Sequence, residues 1–120
     1  MNSEFAIETQ SLTKRYRRQV AVHELDLQVP KGSVFAFLGH NGAGKTTTIR
    51  MLLNMLRASS GKASLLGKPS HKLGARDFES IGYVSENHPL PSWMTVEGLS
   101  RYLAPLYPTW DADLQKRLLE

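Results

Sequence analysis

The 120-residue sequence has no cysteine, so it can build neither a disulfide framework nor a thiolate metal site, and a reducing compartment fits it. Long apolar runs are missing too: the longest, Val34 to Leu38, falls far short of the roughly 20 residues that span a bilayer. The N-terminus, MNSEFAIETQ, lacks the basic start and long apolar stretch of a secretion signal. Any membrane association is therefore expected to run through a partner. The four histidines, at 23, 40, 71 and 88, show no metal-ligand spacing. Charge of one sign is scarce outside one short stretch. Lys14, Arg15, Arg17 and Arg18 account for the net charge of +4, and the remaining basic and acidic side chains number 11 each. That balance gives no basic face, so no nucleic-acid partner is expected. The stretch itself reads as a solvated basic turn or as a local contact for phosphate or lipid. There is no internal repeat and no low-complexity segment.

What is present suits one globular domain, with an apolar content of 41%. Phe5 and Ile7, then Leu25, Leu27 and Val29, alternate with polar neighbours, predicting half-exposed antiparallel strands before the turn at Pro30, Lys31 and Gly32. The run Val34 to Leu38 is apolar at every position, as expected for a strand covered on both faces at the centre of a sheet. Ile49, Leu52, Leu53 and Leu56 then fall at helical spacing, with Arg50 and Asn54 off that face. Ser59, Ser60 and Gly61 are expected to end the helix. A short strand around Ala63 to Leu66, a turn at Gly67, Lys68 and Pro69, and a buried strand over Ile81 to Val84 follow. Beyond Ser85 prolines break the chain. Thr95 is placed to cap a helix carrying Val96, Leu99, Leu103 and Leu106, and Asp111 to cap a last one carrying Leu114 and Leu118.

Between the apolar run and the first helix stands GHNGAGKTT, residues 39 to 47. Gly39, four residues, then Gly44, Lys45 and Thr46 meet the phosphate-binding P-loop pattern. Glycines at 39, 42 and 44 free the backbone so that successive N–H groups, including those of Asn41 and Ala43, can turn inward around a phosphate. The positive end of the following helix adds to the same spot. Lys45 is suited to the β- and γ-phosphates, the Thr46 hydroxyl to the accompanying Mg²⁺, and the Thr47 hydroxyl to the α-phosphate side. His40 fills a variable position of the loop and is given no role.

The stretch LDLQVPKGSVFAFLGHNGAGKTTTIRMLLNML resembles the start of the ATP-binding subunit of an ABC transporter, and the resemblance runs over essentially the whole chain. It implies an α/β fold: a P-loop NTPase core of strand, P-loop and helix, an antiparallel β subdomain and the start of a helical subdomain. In that family an aromatic stacks on adenine, and Tyr16, in LTKRY, stands at its spacing, 29 residues before Lys45. SGKASLLGKP resembles the family's next hairpin and IGYVSE the strand entering its Q-loop. There the sequence departs from the pattern, with Glu86 in place of glutamine. An ionised carboxylate accepts but cannot donate hydrogen bonds. Glu86 is expected to keep the metal and coupling role as a Mg²⁺ ligand; the plain alternative is a surface carboxylate. The same GYVSE run followed by a WMTVEGL-like stretch occurs in a branch of bacterial ABC ATPases. NHPLPSWMTVEGLSRYL stands where the family docks on its transmembrane partner. Leu90, Trp93 and Met94 are candidate contacts there, or Trp93 and Met94 cover the helix that follows.

Residues 1–85 are thus expected to form the nucleotide-binding core and β subdomain, and 86–120 the Q-loop region and the start of the helical subdomain. The family's Leu-Ser-Gly-Gly-Gln signature, its acidic Mg²⁺ and water-activating site and its switch histidine are absent. The simplest expectation is an N-terminal piece of an incomplete ABC ATPase domain. Catalysis of phosphoryl transfer needs several such elements together, so the chain alone is expected to bind Mg-ATP weakly and turn it over slowly or not at all. The resemblance implies ATP and Mg²⁺ as ligands, with a permease and a second ATPase subunit as partners. It implies a cytoplasmic location at the inner face of the cell membrane. The alternatives are a soluble ABC-type ATPase not engaged in transport and a nucleotide-binding module without turnover.

Overall fold

A computed structural model describes residues 4–39, 44–85 and 89–120, and the chain divides into two compact units, 1–73 and 74–120. The first is built on two long strands, β1 (Phe5–Tyr16) and β2 (Gln19–Pro30). Their alternating residues pair antiparallel, Ile7 opposite Val29, Thr9 opposite Leu27 and Leu12 opposite Leu25. On the other side of β1 lies β3 (Ser60–Leu65), and β4 (Lys68–Pro69) closes the order β2-β1-β3-β4. The expected antiparallel β subdomain is therefore present.

Register slips mark the hairpin between Thr9 and Leu12 and between Leu12 and Lys14. There Ser11 (φ 47°) and Glu24 (φ 44°) adopt left-handed backbone, which costs a residue with a Cβ about 1–2 kcal/mol. Hydrogen bonds offset that cost. Ser11 N–H donates to Asp26 Oδ1 (2.7 Å), and Glu24 N–H donates to Thr13 Oγ1 (3.0 Å), whose hydroxyl donates to the Ser11 carbonyl (3.1 Å). Bulges of this kind increase the local twist of a hairpin.

Helix α1 (Lys45–Leu52) lays Met51 against Leu12 of β1 and Val22 of β2 to form the core, with Leu25, Leu56, Ala58 and Ala63 packed around it. The helix buries Thr48, Met51 and Leu52, whereas Ile49, expected on the inner face, is 37% exposed. The inner stripe is thus rotated toward a hydroxyl and a thioether that the apolar pattern left out. The helix also ends earlier than Ser59: Asn54 turns left-handed (φ 58°) and its Nδ2 donates to the Leu73 carbonyl at 3.2 Å.

Two expected strands are not formed. Val34 to Leu38 and Ile81 to Val84 lie outside regular secondary structure, with Val34, Leu38 and Val84 almost fully exposed. A strand covered on both faces needs pairing neighbours and packed layers, and no described strand pairs with either run.

The second unit holds α2 (Ala75–Phe78), α3 (Val96–Leu103) and α4 (Ala112–Leu119). Both expected caps are in place: Thr95 Oγ1 accepts from Gly98 N–H (2.9 Å) and Asp111 Oδ1 from Leu114 N–H (2.9 Å). The short α2 escaped the sequence pattern, and there Asp77 reaches back to accept from Gly74 N–H at 2.8 Å. Trp93 is 80% exposed, while Met94 is partly covered beside Gly98 of α3. Met94 thus partly covers the helix that follows, and Trp93 does not.

Gly61 (φ 84°) is the second residue of β3, where a Cβ would come within 2.3 Å of the Ser11 carbonyl oxygen, whereas at Gly32 (φ 73°) a Cβ meets nothing within 4 Å. Gly61→Ala is expected to lower the urea unfolding free energy by about 2 kcal/mol or more, and Gly32→Ala by about 1 kcal/mol. Equal losses would contradict the close approach of β3 to the Ser11 bulge.

Candidate functional site

The residues of the phosphate-loop pattern that are described gather where α1 begins. Gly44 is the residue before the helix, at φ 86° and ψ 7°, a conformation glycine takes without penalty. A Cβ on Gly44 would sit 2.3 Å from the Ala21 carbonyl oxygen and 3.0 Å from a methyl of Val22. The glycine is therefore required twice, for its backbone angle and because the helix start presses on β2. Thr48 locks this start from inside: its N–H (2.9 Å) and its buried hydroxyl (2.8 Å) both donate to the Gly44 carbonyl.

Lys45 is half-buried and its Nζ donates to the Gly39 carbonyl, so the first and last parts of the loop are bridged by the lysine itself. A neutral carbonyl leaves the ammonium its full charge. The first turn of α1 carries no acidic residue. Positive potential from the helix end and from Lys45 thus adds up without a competing carboxylate on that turn. Thr46 is exposed and Thr47 half-buried. Asn41, Gly42 and Ala43 of the loop, and Glu86, lie outside the described residues. Among the described residues no group of three or more His, Cys, Asp or Glu stands ready to hold a metal ion.

Tyr16 ends β1, 47% exposed. Leu12 faces α1 in the core, and Lys14 stands opposite Val22, another core residue touching α1. Register shifts on both sides of Lys14 interrupt the alternation along β1 before Tyr16, which pairs with Gln19 where the hairpin turns. The hairpin that carries Tyr16 is also the one that seats Gly44. Sequence reasoning missed three contributors here: Ala21, the seat for Gly44; Thr48, whose hydroxyl caps its carbonyl; and Lys14, whose ammonium lies 5.2 Å from the Tyr16 ring centroid. Only Lys14 left a signal, its position two residues before Tyr16.

With this geometry in place, a family model described as ABC transporter matches residues 22–118. Among similar proteins, the bacitracin transport ATP-binding protein BcrA of Bacillus licheniformis is 42% identical over 67% of the chain, which covers 26% of that protein. An uncharacterized ABC transporter ATP-binding protein of Synechocystis is 34% identical over 94% of the chain and 33% of its own length. A solved structure described as the ATP binding subunit of an ABC transporter superposes with a TM-score of 0.76 at 26% identity, covering 94% of this chain and 47% of that one. The chain belongs to the ABC transporter family and carries part of its nucleotide-binding domain. It spans about a quarter to a third of the length of these two curated relatives. No helix among the described residues is long and apolar enough to cross a membrane.

Thr48→Val keeps the side-chain shape and removes the hydroxyl bond to the Gly44 carbonyl. The variant is expected to lose about 1 kcal/mol of stability in urea unfolding, with Thr48→Ser recovering the hydrogen-bond part.

Proposed function

We propose that the chain binds Mg-ATP at the start of α1 and that, within the whole protein, this binding drives a membrane permease. The observation that carries the reading is the Gly44–Lys45 helix start, seated on β2 and bridged to Gly39, on the hairpin that carries Tyr16. Backbone N–H groups of Gly39, Asn41, Gly42, Ala43 and Gly44 take the phosphates. Lys45 exchanges the neutral Gly39 carbonyl for β- and γ-phosphate oxygens, which are stronger acceptors because they are charged. Thr47 serves the α-phosphate side, and the Tyr16 ring stacks on the adenine.

Magnesium suits this donor set, because a hydroxyl and a carboxylate are both oxygen donors of the kind it takes beside phosphates. Thr46 and Glu86 would hold it, and when bound it would neutralise charge on the phosphates. Glu86 contributes a carboxylate where a glutamine would contribute a neutral amide, which binds the metal harder and repels a γ-phosphate oxygen. In the whole protein the partners are a permease and a second ATPase subunit, at the cytoplasmic face of the membrane. Leu90 and Trp93, both exposed, are the apolar contacts offered to the permease.

Lys45→Ala is expected to weaken Mg-ATP about 10- to 100-fold in calorimetric titration, the worth of a hydrogen bond to a charged group. An unchanged affinity would remove the phosphate site. Glu86→Gln is expected to raise the Mg²⁺ concentration needed for half-maximal ATP binding by about threefold or more. If neither Mg²⁺ dependence nor affinity moved, Glu86 would be a surface carboxylate.

A further inference from the structure

Lys14 and Tyr16 stand two residues apart at the end of β1, and the Lys14 ammonium lies over the Tyr16 ring. The Lys14 ammonium, 5.2 Å from the ring centroid, also donates to the Arg57 carbonyl at 2.7 Å, in the segment that follows α1. On one side of it Ser59 N–H donates to the Thr13 carbonyl (2.9 Å), and on the other Arg15 N–H donates to Ser59 Oγ (2.9 Å). The strand end is thus fastened to the segment after α1 both before and after Lys14. A typical exposed lysine samples many rotamers; this one is held at its backbone and at its tip. The held cation lies against the negative face of the Tyr16 π-system, where attraction is strongest.

We infer that Lys14 is a positioning residue for base recognition: it covers one face of the Tyr16 ring and leaves the other to receive the base of a nucleotide. The inference rests on the proposed stacking of Tyr16 on the base and adds what orients the ring. A ring ordered before the ligand arrives spares part of the side-chain ordering cost of binding. Lys14 therefore acts through Tyr16 and makes no contact with the phosphates, which are the province of Lys45. Its role differs from that of Arg15, Arg17 and Arg18, its neighbours in sequence.

The test compares Mg-ATP with Mg-tripolyphosphate, which has phosphates and no base, using the intact chain and variants whose unfolding midpoints are measured alongside. Lys14→Met is expected to weaken ATP about three- to fivefold and leave tripolyphosphate unchanged. Lys14→Arg restores ATP affinity, since a guanidinium also stacks on an aromatic face. In a Tyr16→Ala background Lys14→Met has no further effect. The inference is overturned if Lys14→Met leaves ATP unchanged, weakens both ligands alike, or costs as much without the ring as with it. Should Tyr16→Ala itself weaken ATP and tripolyphosphate equally, the base site would fall, and the inference with it; that result is separate from every outcome at Lys14.

Discussion

Met51 of α1 packs against Leu12 and Val22, and Gly44 at the start of the same helix rests on the Ala21 backbone. Everything else in the first unit depends on this seat. A helix of eight residues is marginal in water by its own propensity, so its stability must come from the face it buries. Two of the residues it packs against stand on opposite strands of one hairpin, so the helix can form in place only when β1 and β2 are paired and bulged as they are. The seat fixes the direction of the helix start. The helix start then fixes Lys45 and its bridge to Gly39.

The same contact links two halves of a candidate ligand site. The groups proposed to bind phosphate stand at the N-terminal end of α1, and an aromatic ring stands at the end of the hairpin that supports it. Beyond the other end of the helix, the segment around Arg57 and Ser59 is tied to β1 at Thr13, Lys14 and Arg15. The basic turn that composition alone leaves undivided thus separates into one anchored lysine and three exposed arginines. Anchoring, more than net charge, gives Lys14 its distinct place.

The parts legible in the sequence are those whose physics is local. Gly44 could be assigned because only glycine takes its backbone angle cheaply; Thr95 and Asp111 because a side-chain oxygen must meet an N–H three residues on; and the hairpin because period-two alternation needs no partner to be seen. What stayed hidden depends on tertiary contact. The buried stripe of α1 runs through Thr48 and Met51 because of where the hairpin lies, and the helix stops at Leu52, two residues before Asn54, whose amide finds the Leu73 carbonyl. Val34 to Leu38 and Ile81 to Val84 have the composition of buried strands, but composition supplies no pairing partner, and they stand exposed. Glu86, with Asn41, Gly42 and Ala43, lies outside the described residues, and the metal role proposed for it rests on the family resemblance and the chemistry of a carboxylate.

The account's central claim is that the α1 seat holds a phosphate site and a base site on one hairpin. Amide hydrogen exchange with and without ligand tests it most directly. Mg-ATP and Mg-tripolyphosphate should both add protection at Gly44 through Thr48, and Mg-ATP alone should add it along Tyr16 to Val22. No added protection at Gly44 through Thr48 with either ligand, or identical patterns with both, would contradict the claim.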